Sequence, residues 1–424
     1  MLQLTDSGSI IMYVNQLPSS KPRIFYGYVI VCVVFVILAV MWGTLYAFGV
    51  YFNALLADFG WTKAMTSGAF SLSVVFLALF AVIAGRLSDR FGPRVVLTVG
   101  GLLLGTGCLL MSRIETAWQL YLYYGVIIGV GMSTSFVPPA STVARWFVKR
   151  RGMMTGIAVS GLSVGTLVMP PFANWLISVY GWRTAYIVTG VTVLIAVVSA
   201  AQFLRRDPDE IGQLPYGVNE LEDRKTSPTD FSLSEVVRTR QFWMLDVAVL
   251  FFGVSLGAVL VHIVPHSIGL GVSPANAALV LALVGGGGII GRVVMGAVCD
   301  RIGNKPALVI CFCALSTSLF SLLVAEELWG LFLFAIIFGF GYGGISALVS
   351  PMLAELFGLR SLGAILGLTA SIGGDGGSAI GSVVAGYIFD VTGSYYRAYL
   401  ICAVISAIGL VLILLLKPTS WSKA

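Results

Sequence analysis

The sequence predicts an all-α membrane protein with twelve transmembrane helices in two pseudo-symmetric six-helix halves. Three observations predict it: an apolar composition, twelve long apolar segments, and a repeat at a fixed offset. Hydrophobic residues make up 58% of the 424 residues and charged residues only 10%, whereas a soluble chain has roughly 25% charged residues. The composition therefore excludes a soluble enzyme and a nucleic-acid-binding protein, and it predicts the lipid bilayer as the main surrounding medium.

A helix needs about 20 apolar residues to cross the bilayer core, and twelve such segments follow one another. We number them span 1 to span 12. Their predicted limits are 26–50, 67–86, 94–112, 117–144, 152–178, 184–204, 242–266, 274–298, 305–324, 329–353, 362–388 and 395–416. The one long polar stretch separates spans 6 and 7. We therefore expect an N-terminal half at 1–204, a solvated linker at 205–240 and a C-terminal half at 241–424.

The basic residues predict the orientation. With a cytoplasmic N-terminus, 20 of the 25 Lys and Arg residues fall on the cytoplasmic side, and one, Arg292, lies inside a span. The other four, Lys63, Arg113, Arg183 and Arg397, fall outside. Cytoplasmic loops of membrane proteins carry the excess of positive charge. We therefore expect a multi-pass protein of the cell (inner) membrane with both termini and the linker in the cytoplasm.

The two halves repeat one another. The decapeptide 85–94 after span 2 returns 211 residues later at 296–305, with the Gly, Asp-Arg, Gly and final base in register. The same offset relates Thr62 to Ser273, and both are suited to cap the N-terminus of the span that follows. Duplicated halves are typical of transporters, whose substrate site lies between the halves near the middle of the membrane.

The repeated decapeptide also predicts a polar latch. Asp89, Arg90, Asp300 and Arg301 occupy matching positions on the predicted cytoplasmic face. Their glycines allow close approach of helix ends, and their charges can pair with each other, with helix ends and with nearby bases. We expect these four residues to gate one conformation. The alternative is a tight turn that carries ordinary positive-inside charges.

The pattern G-x-L-x-D-R-x-G-x-R, repeated after span 8, resembles the motif of the major facilitator superfamily, and the resemblance covers the whole chain. Other segments are similar to those of its monocarboxylate transporter and oxalate–formate antiporter group: 26–28, 45–49, 145–152, 262–265 and 389–395. The resemblance implies a carrier that works by alternating access. It also implies that the arginine of span 8 binds the substrate anion.

Physical reasoning that does not depend on the resemblance also points to Arg292 as a binding residue. It precedes Asp300 at the end of its span by eight residues, which places it about 12 Å inside that end. A charge at this depth costs at least ~2.5 kcal/mol and therefore faces a cavity or a partner. The planar guanidinium matches a carboxylate bidentately. The alternatives are a buried ion pair that holds helices together, or a side chain that reaches back to the cytoplasmic surface.

The chain departs from the group at three places. Gly288 stands where animal-type monocarboxylate transporters have an acid, and Val50 stands where they have a lysine. The segment 371–375 contains no base of the kind that the oxalate antiporter has in span 11. The proton-relay residues of the group therefore do not carry over to this chain. A single cation in the cavity suits a monoanion better than a dianion.

Three residues are candidates for proton coupling. Asp375 lies deep in span 11 within a run of glycines, where it is either a proton carrier or a partner of Arg292. His262 lies near the outer end of span 7, and histidine is the residue type that most often serves in pH-sensitive coupling. Asp246 lies near the cytoplasmic start of the same span. For each the alternative is structural: a packing acid for Asp375, and interfacial residues for His262 and Asp246.

Polar aromatic residues complete the predicted substrate site. Tyr342 lies in the glycine-rich span 10 with Ser346 one turn on, and Tyr46 and Tyr124 occupy comparable places in spans 1 and 4. We expect these four residues to contact the substrate beside Arg292. The alternative for each is a packing or interface role.

The sequence thus predicts a secondary active transporter of small monocarboxylates such as lactate or pyruvate, coupled to protons. The alternative is an oxalate/formate-type antiporter. A receptor or a membrane enzyme needs a large soluble domain or a catalytic cluster, and the chain offers neither, so we expect no enzyme activity. No phosphate-binding loop is present. We expect no cofactor and no metal, a small organic anion and a proton as partners, and function as a monomer.

Overall fold

The computed structural model describes residues 25–217 and 231–416. Both chain ends and the middle of the linker, residues 218–230, lie outside the described residues, as does the predicted cytoplasmic placement of the two termini. The described part is built from helices, and outside them it contains one isolated bridge between Phe147 and Tyr216. The sequence-based expectation of an all-α membrane protein is confirmed.

The first half contains six spans. Span 1 consists of two helices that meet at Ala47, and span 4 is a composite of α- and π-helical segments. Spans 5 and 6 form one long helix that bends at Gly181, whose backbone (φ 79°, ψ 160°) is not helical. The bounds are Tyr26–Tyr46 and Phe48–Phe59, Lys63–Phe91, Pro93–Met111, Ala117–Trp146, and Arg151–Gln202 for spans 5 and 6 together.

The second half repeats this plan. Its bounds are Arg240–Gly269, Pro274–Ile302, Asn304–Leu322, Leu328–Phe357, then Leu362–Thr369, Ala370–Gly376 and Gly377–Thr392 for span 11, and Tyr396–Leu415. The middle segment of span 11 is a π-helix. Ten described helices are long and apolar enough to cross a membrane. The bend at Gly181 divides one of them into two spans, and the segmented span 11 adds another, which gives twelve.

The helix ends confirm the predicted internal repeat. Thr62 accepts a hydrogen bond from the Met65 amide at 3.2 Å, and Ser273 accepts one from the Asn276 amide at 3.4 Å. Both residues therefore cap the spans that they precede, as predicted. The glycines that end spans 2 and 8 also match. Gly92 has φ 83° and Gly303 has φ 93°, a backbone conformation that favours glycine.

The apolar core forms two clusters. One consists of residues from Ile30 to Leu204, and the other consists of residues from Val236 to Leu416 together with Ala81, Val137, Ala140 and Ala144 of the first half. Those four residues lie where spans 2 and 4 meet the second half. The domain boundaries at residues 204 and 240 stay a prediction.

The start of the linker is packed rather than solvated. The Trp146 indole donates to the Arg205 carbonyl at 3.0 Å, and the Tyr216 amide donates to the Trp146 carbonyl at 2.9 Å. Asp207 lies 3.5 Å from Arg145. The linker is therefore packed at 205–208 and at Tyr216, whereas 209–212 are exposed, and the solvated linker at 205–240 stays a prediction. The packed residues cover the large buried side chains that end span 4, which need an apolar or hydrogen-bonding neighbour.

The orientation can be tested by labelling with a membrane-impermeant maleimide. We expect Asp209→Cys to react only from the cytoplasmic side and Ser394→Cys to react from outside intact cells, because both positions are exposed and an even and an odd number of spans precede them. The exposed native thiols, Cys32 and Cys313, lie within spans and serve as the background control. Labelling of Asp209→Cys from outside intact cells contradicts the proposed orientation.

Candidate functional site

Two carboxylates join the halves at one end of the molecule. Asp89 of span 2 accepts hydrogen bonds from the amides of Gly363 and Ala364 at 3.2 and 3.0 Å, at the N-terminus of span 11. Asp300 of span 8 accepts hydrogen bonds from the amides of Gly152 and Met153, both at 2.9 Å, at the N-terminus of span 5. Each half therefore caps a helix of the other half, where a negative charge is favoured.

The two latches obey the same 211-residue offset as the sequence repeat. Gly152 corresponds to Gly363, and Asp89 corresponds to Asp300. The helices approach so closely at both latches that a Cβ on Gly85 would clash with the Gly363 carbonyl, and one on Gly296 would clash with the Gly152 carbonyl. This end of the interface between the halves is closed by backbone contacts.

The basic members of the predicted latch are placed differently. Arg90 stacks over the Phe91 ring at 5.1 Å and makes no ion pair among the described residues. Arg301 is exposed. The base that meets Asp89 is instead Arg145, at 2.9 Å and only 7% exposed. The structure therefore brings Asp89 and Asp300 to the latch but not Arg90 and Arg301, because the end of each helix turns these two side chains outward.

A cavity of about 160 Å³ lies between the halves. A water molecule occupies roughly 10–15 Å³ on this measure, so the cavity holds on the order of ten waters or one small organic molecule. Spans 1, 2, 4, 5, 7, 8, 10 and 11 contribute to its wall. Much of that wall is apolar and includes Leu77, Phe136, Leu162, Val249, Phe252 and Leu256.

Among the residues that the structure describes, Arg292 is the one cation in the wall of this cavity. Its side chain is fully buried. One terminal nitrogen donates to the Ser163 hydroxyl, the other donates to the Tyr342 hydroxyl at 2.6 Å, and the Nε atom has no described hydrogen-bond partner. The guanidinium also lies 4.7 Å from the centre of the Tyr342 ring. Within the described residues no carboxylate pairs with it, so its charge is met only by neutral groups.

Four other predicted residues line the same cavity: Tyr342, Ser346, Tyr46 and Asp375. Tyr46 retains 42% of its surface exposed, so its ring faces open space at the bend of span 1. Asp375 lies in the π-helical segment of span 11 and makes no ion pair in the part of the chain that the structure describes. Arg292 and Asp375 therefore share a cavity without being paired to each other.

The structure does not bring three other candidates to the cavity wall. Tyr124 donates to the Leu45 carbonyl at 3.3 Å within the first half. His262 lies 3.2 Å from the Tyr395 hydroxyl and 2.9 Å from the Ser382 carbonyl, so both ring nitrogens have partners. Asp246 is 1% exposed, so its side chain lies inside the protein and not at the surface that the alternative interpretation supposed. It lies beside Thr369, one layer behind the wall.

Sequence reasoning missed Ser163, Trp42 and Thr369. Ser163 is the partner of Arg292 from the opposite half, and no spacing rule connects residues of spans 5 and 8. The Trp42 indole nitrogen and the Thr369 hydroxyl belong to cavity-lining residues and have no hydrogen-bond partner among the described residues. Polar residues in apolar spans were the available signal, but such residues are numerous here.

Known proteins share both the sequence pattern and the fold of this chain. The model of the family described as Major Facilitator Superfamily matches residues 30–374 and 264–424, so nearly every span is included. The chain belongs to the major facilitator superfamily. The resemblance of its repeated decapeptides is therefore confirmed.

Within the superfamily the chain is similar to monocarboxylate transporters. It is 28% identical to monocarboxylate transporter 13 of Bos taurus, over 89% of this chain and 86% of that protein. It is 28% identical to monocarboxylate transporter 7 of Homo sapiens, over 93% and 86% of the two chains. Monocarboxylate transporter 12 of Homo sapiens is 27% identical over 91% and 79%.

Solved structures of the superfamily share the fold. The proton:xylose symporter XylE superposes with a TM-score of 0.75 at 14% identity, covering 93% of this chain and 97% of that one. The fucose:proton symporter FucP of E. coli superposes with a TM-score of 0.72 at 16% identity, covering 93% and 100%. The chain is thus a multi-pass membrane transporter of this superfamily.

The latch can be tested by removing its charges. We expect Asp89→Asn and Asp300→Asn to slow transport several-fold while leaving the Kd of the substrate nearly unchanged, because removing a negative charge from a helix N-terminus costs roughly 0.3–1 kcal/mol. The measurements are uptake rate and equilibrium binding in purified, folded protein. Asp209→Asn, at an exposed linker position, is the matched control. Wild-type rates in both latch variants contradict a gating role.

Proposed function

We propose that this protein is a secondary active transporter of small monocarboxylates, of the lactate and pyruvate type, which it carries together with a proton by alternating access. One observation carries the proposal: Arg292 is a fully buried cation at a cavity between the halves and has no described carboxylate partner. A buried charge without a counter-charge is costly. A carboxylate ligand supplies that counter-charge in a matching planar geometry.

The rest of the cavity supports a small monoanion. In the described part of the chain Arg292 is the only basic residue of its wall, and Asp375 would repel a second carboxylate. The apolar side chains around the cavity suit a short aliphatic tail. The similarity to monocarboxylate transporters supports the same substrate class. The described wall offers no second cation, which oxalate, a dianion, would need in an oxalate/formate-type exchange.

Proton coupling is assigned to Asp375. Its carboxylate lines the cavity that holds Arg292, yet no described cation pairs with it. An ionised carboxylate in such a place is costly, and taking up a proton removes the cost. We propose that Asp375 loads a proton when the substrate anion occupies Arg292. His262 and Asp246 remain the next candidates, in that order.

We propose that the latched end faces the cytoplasm, that both termini lie there, and that the protein works as a monomer in the cell (inner) membrane. The 20-to-four distribution of basic residues supports the orientation. Opening and closing of the two carboxylate latches then alternates access to the cavity.

Substitution of Arg292 tests the substrate site. Arg292→Lys keeps the charge and loses the planar fork, and loss of a hydrogen bond to a charged group removes roughly 1.5–3 kcal/mol, or about tenfold or more in affinity. We therefore expect Arg292→Lys to bind lactate or pyruvate at least about tenfold more weakly and Arg292→Ala to show no measurable binding. The measurement is equilibrium binding to folded protein.

The exposed outer residue Arg183 provides the control, since Arg183→Lys makes the same exchange away from the cavity. Formate and oxalate are titrated in parallel. Near-native affinity of Arg292→Ala for the acid that the wild type binds makes Arg292 structural. Tightest binding of oxalate overturns the monocarboxylate assignment but not the role of Arg292.

Substitution of Asp375 tests coupling. We expect Asp375→Asn to abolish uphill uptake driven by a pH gradient while exchange between internal and external substrate persists, because the amide fills the same space but cannot take up the proton. Asp390→Asn, at an exposed position near the end of the same span, is the matched control. Full pH-driven accumulation by Asp375→Asn assigns the proton to another residue.

A further inference from the structure

Span 5 and span 8 meet along one seam that has a polar contact at each end. At the latch end, Asp300 accepts from the amides of Gly152 and Met153. At the cavity end, Arg292 donates to the Ser163 hydroxyl across the interface. Arg292 and Asp300 are eight residues apart, so the seam is about 12 Å long.

The part of the seam between these contacts is formed by backbone. A Cβ on Gly156 would clash with the Arg292 carbonyl, and a Cβ on Gly296 would clash with the Gly152 carbonyl. These positions are spaced by four and seven residues along span 5 and by four along span 8, so each set lies on one helix face. Two helices packed this closely separate as rigid bodies, and the contacts at both ends then change together.

Ser163 and Tyr342 hold the Arg292 guanidinium inside the protein. Ser163 is 5% exposed and Arg292 is fully buried, although Arg292 belongs to the cavity wall. The guanidinium is bonded on one side to Ser163 of the first half and on the other to Tyr342 of its own half. A carboxylate that binds both terminal nitrogens of the guanidinium competes with Ser163 for one of them.

We propose that Ser163 is the internal hydrogen-bond partner of Arg292, and that an incoming carboxylate releases span 5 from span 8 by taking that hydrogen bond. The inference rests on the proposed function and adds to it a positioning residue that links binding to opening. A ligand shifts a conformational equilibrium only through its different interactions with the two states. Competition for the Arg292–Ser163 bond, which joins the two halves in the latched state, provides that difference.

On the seam between spans 2 and 11, the equivalent residues cannot form such a side-chain hydrogen bond. Span 2 and span 11 meet through Asp89 and the close pair Gly85–Gly363, with the pseudo-symmetric geometry. The residue equivalent to Arg292 by the 211-residue offset is Ala81, and the equivalent of Ser163 is Gly374. The substrate therefore acts directly on the seam between spans 5 and 8. The seam between spans 2 and 11 opens with it, because both seams join the same two halves.

Cys299 is a native reporter of the seam. It is 4% exposed, and its sulfur lies where a Cβ on Gly152 would be placed. Separation of spans 5 and 8 at the latch end opens this thiol to water. Reaction with a membrane-impermeant maleimide, read at Cys299 by peptide mass spectrometry, therefore measures how often the seam opens without changing any cysteine.

The experiment compares wild type, Ser163→Ala, Ser163→Thr and Ser160→Ala in the full-length protein, with and without lactate, pyruvate, acetate or formate. Ser160 is the matched control, because it lies on the same helix and bonds only to the Ile157 carbonyl. We expect an acid that binds to speed labelling of wild-type Cys299. We expect Ser163→Ala to label about tenfold faster without acid and to respond little to it. Ser163→Thr, which keeps the hydroxyl, and Ser160→Ala should label as wild type.

The binding constant separates this role from simple support of Arg292. Loss of the competing hydroxyl should leave the affinity of Ser163→Ala for the acid unchanged or higher. Weaker binding with wild-type labelling of Cys299 overturns the inference while the substrate site at Arg292 stands. If none of the four acids binds or is transported by wild type, the proposed function fails, and with it the release by carboxylate, whatever Ser163→Ala does to labelling.

Discussion

The architecture depends on a positive charge held inside an apolar protein without a carboxylate beside it in the described structure. Arg292 is fully buried, and its described hydrogen bonds go to hydroxyl groups alone. Neutral donors and acceptors offset only part of the cost of taking a charge out of water. In the proposed function, a bound carboxylate supplies the missing counter-charge at this interface between the halves.

Duplication explains how the halves can part at that site. Each half contributes one aspartate that caps a helix of the other, and the four residues at each latch follow a single offset of 211. The glycines that let the helices touch leave backbone as the contact surface, so little side-chain rearrangement is needed to open it. The two seams differ at the cavity. Arg292 bonds to Ser163 on the seam between spans 5 and 8, whereas the residue equivalent to Arg292 on the seam between spans 2 and 11 is Ala81.

The sequence predicted the parts of the fold that are set by local rules. Apolar length placed all twelve spans, and Thr62 and Ser273 were recognisable as caps because a hydroxyl before a helix has a local purpose. Arg292 and Asp375 stood out because charges in apolar spans are rare. The contacts of Tyr124, His262 and Asp246 depend on how spans 4 and 7 rotate about their axes, and the π-helical segment that contains Tyr124 alters that rotation in span 4. Ser163 was missed because its partner lies in the opposite half.

A structure of the protein with a bound carboxylate measures the central claim most directly. Pyruvate is a suitable ligand, because it does not alkylate the free thiols and its planar shape identifies the orientation of the anion. We predict both carboxylate oxygens within hydrogen-bond distance of the Arg292 guanidinium, the methyl group against the apolar wall near Phe252, and no hydrogen bond from Arg292 to Ser163. An anion bound elsewhere, with the bonds from Arg292 to Ser163 and Tyr342 both intact, contradicts it.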